Sequence, residues 1–114
     1  MLRLYTIKSK QFKWTDKYVE KGEDIKYVRA VEWCNMAADN YILALALPKM
    51  VRLLFYNRTV EELNNEVPIP EKRDIEIENV CQLKWEDNLL IALSDKQVTQ
   101  IEVDMTERKC MILQ

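Results

Sequence analysis

The chain has 114 residues, of which 48% are hydrophobic, so it is long enough for one modest core and too apolar for a disordered protein. Its formal net charge of −2 lacks the basic excess of a protein that binds a nucleic-acid duplex. With no histidine and one glycine, the sequence excludes imidazole acid–base or metal chemistry and a glycine-rich phosphate loop.

Strand patterns dominate the first half of the chain. Segment 41–47 is continuously apolar, which predicts a strand buried on both faces; a helix that also takes in Ala37 and Ala38 is the alternative. Pro48 and the close spacing of the neighbouring strand patterns favour the strand. In chain order, the strands predicted in this half are 2–4, 11–14 (pairing back on the first), 27–33, 41–47 and 50–56.

The second half repeats this order after a predicted linker at 64–79. The linker contains Pro68, Pro70 and a run of charged residues, and its length suggests a loop or a strand excursion between two blades. Because glycine is nearly absent, turns are expected to use Asn and Asp, which tolerate left-handed conformations. The predicted strands that flank and follow the linker are 59–63, 80–85, 88–93, 97–103 and 108–113.

One segment of the chain occurs three times. Residues 1–7 align with 50–56 at an offset of 49 residues. Residues 97–103 form a weaker third copy, in which Val98 matches Val51 at an offset of 47 residues. Repetition at roughly 40–50 residues is typical of propellers and arrays, whose repeats cannot bury their own faces alone.

The strand order predicts an all-β fold of antiparallel four-stranded blades. A strand ending in Trp33 or Trp85 is followed by an apolar strand, a strand rich in branched residues and an outer polar strand, which is the order of a propeller blade. The two tryptophans are expected to be equivalent core anchors. The chain is predicted to be a single partial β-propeller domain, about two and a half blades long, with units at 1–25, 26–63 and 80–114.

A closed propeller needs at least four blades, or about 160 residues. The chain is therefore expected to be a blade segment that opens near the third strand of one blade and closes near the fourth strand of another. Further chain, another copy or a partner is expected to complete the half unit. Homo-oligomers that pair through unpaired blade edges are one way to do so.

A first candidate interaction site lies in the predicted linker. Glu71, Lys72, Arg73 and Asp74 form a charged run that is expected to be an exposed interaction loop. No catalytic, cofactor-binding or metal-ligating residue is predicted, and no cofactor is expected.

A second candidate site is a basic surface formed by Lys8, Lys10 and Lys13. Residues 1–30 hold eight basic and four acidic side chains. Such a surface could bind single-stranded nucleic acid or anionic lipid headgroups, although solvated strand faces of the ordinary kind show the same pattern.

The three cysteines are odd in number and widely spaced, which favours a reducing compartment over a disulfide framework. Cys34 is expected to be a small buried apolar residue. No segment has the pattern of a signal peptide or a membrane span, because charged residues interrupt every apolar run. A cytoplasmic location is therefore expected.

Four stretches of the chain carry a family pattern: 44–56, 60–63, 67–70, and 83–85 together with 89–93. These stretches resemble the citron homology domain, a β-propeller found in endosomal and vacuolar tethering subunits, in some Rho exchange factors and in citron-type kinases. The usual glycine after the apolar strand is missing, with Leu93 or Ser94 in its place, and the loop between Pro70 and Trp85 is longer than in the family pattern. A general WD-repeat-like blade pair is the alternative. The resemblance implies a non-catalytic platform for small GTPases, adaptors or sister subunits, peripheral on endosomal or vacuolar membranes.

Three functional hypotheses follow from these observations. The leading one is a non-catalytic protein–protein interaction scaffold, a blade segment of a citron-homology-like propeller in vesicle tethering, trafficking or small-GTPase signalling. A self-assembling structural β protein is the second. A small lipid- or nucleic-acid-binding module that uses the basic N-terminal region is the third, and an enzyme is the least expected.

Overall fold

The computed structural model describes residues 2–8, 11–20, 27–34, 40–57 and 71–113, with side chains described within 27–34, 42–55 and 71–113. These residues form an all-β structure in which no α-helix occurs. Its strands are β1 Leu2–Lys8, β2 Gln11–Glu20, β3 Ala30–Cys34, β4 Asn40–Ala46, β5 Val51–Asn57, β6 Glu71–Ile75, β7 Val80–Glu86, β8 Leu89–Ser94, β9 Val98–Asp104 and β10 Lys109–Ile112.

The strands form three antiparallel sheets. Strands β1 and β2 make a two-stranded sheet, which confirms the predicted pairing of 11–14 with the N-terminal strand. The first four-stranded sheet has the order β3-β4-β5-β6, and the second has the order β7-β8-β9-β10. In both, each strand pairs with its neighbours in sequence, and neither described sheet closes on itself.

The apolar strand β4 occupies a central position in the first sheet, as its sequence predicts. Residues 42–47 are all buried, so both faces of this strand are packed. A strand of this kind needs partners on both sides, because its backbone groups are removed from water along with its side chains. Strands β3 and β5 supply those partners.

The turns show how a chain with a single glycine reverses direction. Asp87, at the β7–β8 turn, has a φ of 54°, and Asn79, just before β7, has a φ of 59°. Both are residue types that tolerate the left-handed region at low cost. At the β8–β9 turn, the Ser94 hydroxyl oxygen accepts hydrogen bonds from the backbone N–H groups of Lys96 and Gln97, at 3.3 and 3.1 Å.

The two four-stranded sheets repeat one another in register. The pair Leu43 and Leu54 of β4–β5 corresponds to the pair Leu90 and Ile101 of β8–β9, at the offset of 47 residues. The hydrogen bond from Leu47 N–H to the Met50 carbonyl also has its counterpart 47 residues later. The predicted match of Val51 with Val98 is thereby confirmed, since each begins the third strand of its sheet.

The core lies between the two four-stranded sheets. The inner face of the first sheet, turned toward the second, contributes side chains from β3 to β6, and the inner face of the second sheet contributes side chains from β7 to β9. Burial of this apolar surface is the main force that holds the sheets together. The largest contributors that are almost completely buried are Ile42, Val51, Leu53, Val80, Leu90 and Ile101.

The predicted equivalence of the two tryptophans is confirmed by register, but their environments differ. Trp33 pairs with Leu43, and Trp85 pairs with the equivalent Leu90. Trp85 is half-buried, and its indole Nε1–H donates to the Glu32 carbonyl of the first sheet at 3.2 Å. Trp33 is 42% exposed, so the expectation of a core anchor is correct for Trp85 and wrong for Trp33.

Equivalent residues do not face each other across the core. Leu43 and Leu54 are buried, but they lie on the far face of the first sheet, which points away from the second sheet. Their neighbours along β4 and β5 belong to the inter-sheet core, and successive strand residues point to opposite faces. Their counterparts Leu90 and Ile101 lie on the inner face of the second sheet. The sheets are therefore stacked head to tail, with the same face of each pointing in the same direction.

The predicted linker at 64–79 is only partly a connection. Residues 71–75 form β6, which pairs with β5 and is the fourth strand of the first sheet. The expected fourth strand at 59–63 lies outside the described residues. Strand β6 carries charged residues on both faces, so its sequence has the composition of a loop. Polar residues are nevertheless common in a strand at a sheet edge.

Candidate interaction surfaces

The first candidate surface is the edge strand β6, which carries all four residues predicted as an interaction loop. The structure separates these residues onto two faces of the strand. Glu71 and Arg73 pair with residues of the inner face, whereas Lys72 and Asp74 alternate with them and lie on the far face. The four residues therefore do not form a single loop surface.

On the inner side, Glu71 links the two sheets. One carboxylate oxygen, Oε1, accepts from Arg73 Nη2 at 2.6 Å, and the other, Oε2, accepts from Arg108 Nη1 at 2.9 Å. Arg108 belongs to the β9–β10 turn of the second sheet and has a φ of 55°. Hydrogen bonds from Arg108 and Arg73 hold the pKa of Glu71 below its ordinary value of 4.5.

On the far side, Asp74 is engaged by a cross-strand arginine. Arg52 donates through Nε to Oδ1 at 2.8 Å and through Nη2 to Oδ2 at 3.2 Å, which is a two-point contact. The Arg52 side chain is only 13% exposed, so this pair compensates a largely buried charge. Lys72 is exposed on the same face of the strand.

The second candidate surface was not predicted. It is the outer face of the second sheet, which points away from the first sheet. Its central strand β8 presents three half-buried apolar side chains. Val98 on β9, Met111 on the edge strand β10 and Leu113, directly after β10, add three more that are 40 to 58% exposed. These six residues are Leu89, Ile91, Leu93, Val98, Met111 and Leu113.

Head-to-tail stacking makes this outer face the counterpart of the inner face of the first sheet. The apolar side chains of that inner face are buried under the second sheet, whereas the outer face has polar residues at several matching positions. Which residues occupy equivalent positions depends on the register of the two sheets, which the sequence alone does not determine. Gln82, Glu86, Gln100 and Glu102 stand where the first sheet has Ala30, Cys34, Leu53 and Phe55.

The predicted basic surface is placed only in part. Lys8 lies in β1, paired with Gln11, and Lys13 lies in β2, paired with Thr6. Lys10 falls outside the described residues. The basic surface stays a prediction.

No disulfide joins Cys34, Cys81 and Cys110. Cys34 is buried, as predicted, and its thiol contacts the Asp87 carbonyl oxygen at 3.7 Å across the two sheets. Cys81 is exposed at a β-bulge in β7. Burial raises the pKa of the half-buried Cys110 thiol, against a smaller lowering effect of Arg73.

In the part of the chain that the structure describes, no group of three or more metal-ligating side chains comes together. Within the same residues, no helix is long and apolar enough to span a membrane.

No protein-family model, no curated protein and no solved structure matches the chain. The class of protein that the described residues define is an all-β protein with two repeated four-stranded sheets. Its candidate surfaces are an ion-paired sheet edge and a half-apolar sheet face.

Proposed function

We propose that the chain is a non-catalytic protein–protein interaction scaffold whose two four-stranded sheets are consecutive blades of a citron-homology-like β-propeller. Its partner is a small GTPase, an adaptor or a sister subunit, in vesicle tethering, trafficking or GTPase signalling. Its place is the cytoplasm, peripherally on endosomal or vacuolar membranes.

The observation that supports the blade assignment is the head-to-tail stacking of the two sheets. In a propeller, every blade turns one face to the preceding blade and the other face to the next. Leu43 and Leu90 obey this rule, since both lie on the same face of their respective sheets although only Leu90 faces the shared core. In a two-fold sandwich, equivalent residues would meet across the core.

A second observation concerns the innermost strands. In a blade, the first strand lies nearest the propeller axis, so the first strands of neighbouring blades are adjacent. Strand β3 lies against β7, and the hydrogen bond from Trp85 to the Glu32 carbonyl joins them. This arrangement supports an assignment of β3 and β7 as inner strands and of β6 and β10 as outer strands.

The outer edge is where a propeller can present a rigid polar surface to a partner. Because the ion pairs of Glu71 and Asp74 fix β6 in place, the exposed Lys72 is held on a rigid element. A rigid charged edge favours recognition of a partner with an acidic surface, since charge complementarity accelerates association and selects partners.

The experiment is a binding assay with a panel of purified small GTPases, each in its diphosphate and triphosphate state, together with candidate adaptors. The variant Lys72→Glu should weaken binding of the true partner at least tenfold. Lys96→Glu is the matched control, because Lys96 is exposed in the β8–β9 turn of the other sheet. Equal affinities of the two variants, or no binding across the panel, would refute the proposal.

A further inference from the structure

Strand β10 is an edge strand of the second sheet, and within the described residues its one strand partner is β9. The Leu113 N–H donates to the Gln100 carbonyl of β9 at 2.8 Å. Since alternate residues of an antiparallel strand turn their backbone groups to opposite sides, Cys110 and Ile112 turn theirs away from β9. These outward N–H and C=O groups are in position to pair with a further strand.

The side chains along this edge are apolar on both faces of the strand. Met111 is 58% exposed, Ile112 51% and Leu113 40%, and the three are consecutive. Ile112 pairs with Ile101 and so lies on the inner face, yet the first sheet does not cover it. The edge can therefore be approached by another strand, and an exposed apolar edge is a site at which strands from other chains add.

The equivalent edge of the first sheet is protected against such addition. Strand β6 is charged, and Arg73 Nη1 donates to the Lys72 carbonyl at 2.8 Å, which occupies a backbone acceptor of the edge. Strand β10 has replaced these charges, so the protection of one edge and its loss at the other distinguish two otherwise repeated sheets. In register, Glu71, Lys72 and Arg73 of β6 correspond to Met111, Ile112 and Leu113 of β10.

A second copy of β10 is complementary to this edge. Two antiparallel strands exchange hydrogen bonds only where residues with outward backbone groups face each other. Placing Cys110 of each copy opposite Ile112 of the other meets this condition twice, and it puts Met111 opposite Met111 on a two-fold axis. Lys109 then lies opposite Leu113, so no like charges are paired across the new strand pair.

The length of the edge sets the strength of the pairing. Strand β10 has four residues, so a pair of such strands buries far less than the roughly 1,600 Å² of a standard interface. The dissociation constant is therefore expected in the micromolar range or above.

We propose that two copies of the chain pair antiparallel through their β10 edges, so that their second sheets join into one continuous sheet in a weak, symmetric dimer. This inference goes beyond the proposed function and does not depend on it. Neighbouring blades of a propeller stack through their faces, so a further blade would not occupy this edge, and the proposed partner site lies on β6.

The first experiment is sedimentation velocity of the full chain from about 10 to 1,000 μM, a range that brackets the expected dissociation constant. The wild-type chain should shift from monomer to dimer and no further. Ile112→Pro removes an outward N–H and spares the hydrogen bonds to β9, so it should raise the dissociation constant at least tenfold. Ile112→Lys, which introduces the charge found at Lys72, should do the same, and it decides the matter if the proline variant does not fold.

The matched control is Val98→Lys, since Val98 is 53% exposed on the same sheet but lies on β9 and not at the edge. It should leave the dissociation constant within twofold of the wild-type value. A chain that is monomeric at the highest concentration would overturn the inference. Growth beyond the dimer, or an equal effect of Val98→Lys and Ile112→Lys, would overturn it as well.

The second experiment tests the register by disulfide cross-linking in a chain that carries Cys81→Ser and Cys110→Ser. The two Met111 residues would form a non-hydrogen-bonded pair with Cα atoms about 4.5 Å apart, within the range that a disulfide spans. Met111→Cys should therefore give a covalent dimer on mild oxidation. Leu113→Cys, which would face Lys109 of the other copy, should cross-link at least tenfold more slowly. Equal rates for the two variants would refute the proposed pairing.

Discussion

A matched pair of substitutions at one position of the repeat tests the head-to-tail stacking directly. Leu53 and Gln100 are equivalent residues of β5 and β9, 47 positions apart. Leu53 is fully buried in the core between the sheets, whereas Gln100 is exposed on the outer face. The two variants are Leu53→Ala and Gln100→Ala.

The expected magnitudes differ because only one of the two side chains leaves a cavity. Leu-to-Ala changes in a core cost about 2–5 kcal/mol. Leu53 lies in a central strand, between Ala44 and Arg73 of its neighbours, so the site cannot collapse easily and the upper half of that range is expected. The exposed Gln100 should change the free energy of unfolding by no more than about 0.5 kcal/mol.

Urea unfolding followed by circular dichroism measures both values. With a denaturant slope of about 1–3 kcal/mol per molar, Leu53→Ala should lower the midpoint by roughly 1–5 M, and Gln100→Ala should leave it nearly unchanged. Equal losses at the two positions would mean that both faces are packed alike, and the stacking described above would be wrong. A loss below about 1 kcal/mol for Leu53→Ala would show that the inner face is not a packed core.

Three further predictions concern single groups. Trp85→Phe removes the indole donor between the sheets and should lower the free energy of unfolding by about 1 kcal/mol in urea titrations. The carboxylate of Glu71, whose pKa is lowered by two arginines, stabilises the fold above pH 4.5, and this contribution is lost as the pH falls through its lowered pKa. Glu71→Gln should therefore flatten the loss of stability measured between about pH 6 and 3. Thiol labelling of the native chain, followed by mass spectrometry, should modify Cys81 first, Cys110 slowly and Cys34 last.

Each of these three has an outcome that contradicts it. An unchanged midpoint in Trp85→Phe would show that the indole hydrogen bond does not join the sheets. If Glu71→Gln loses stability at acid pH as steeply as the wild-type chain, the hydrogen bonds from the two arginines to the Glu71 carboxylate do not stabilise the fold in solution. Labelling of Cys34 as fast as that of Cys81 would place both thiols in water, with Cys81→Ser as the control that assigns the first modified peptide.

Most strands could be predicted because their side chains carry a local signal. The apolar run 41–47 and the alternation in 97–103 are visible in the sequence, and β4 and β9 lie there within one residue. The predicted equivalence of Trp33 and Trp85 in the repeat is also confirmed, since each tryptophan occupies the same position in the first strand of its sheet. Alternation is visible within one short segment of the sequence, and repetition is visible when two such segments are aligned.

The fourth strand of the first sheet could not be predicted, because the groups that fix it are distant in sequence. Asp74 is held by Arg52, 22 residues away, and Glu71 is held by Arg108, 37 residues away. Without these partners, a run of four charged residues has the composition of a solvated loop. The expectation that these residues lie in a loop is therefore wrong, because 71–75 form strand β6, and their role in interaction stays a prediction.

The outer face of the second sheet was missed for a different reason. The alternation of Val98, Gln100 and Glu102 with buried residues predicts a two-faced strand, but it does not say which partner lies on either face. That assignment depends on how whole sheets are stacked, which is a property of the tertiary structure. The exposure of Trp33, whose equivalent Trp85 is half-buried, has the same origin.

The connection between the two four-stranded sheets has a consequence for how the molecule responds to proteases and to force. Between β6 and β7, Ile77 is buried and the Asn79 N–H donates to the Pro48 carbonyl at 3.0 Å, so this segment is fastened at both a side chain and the backbone. A protease needs an extended, detachable segment, and this one can detach only when the core opens. Limited digestion should therefore not separate the sheets into two fragments. Mechanical force applied to one sheet should likewise be transmitted to the other, because the segment between β6 and β7 is fixed and does not act as a hinge.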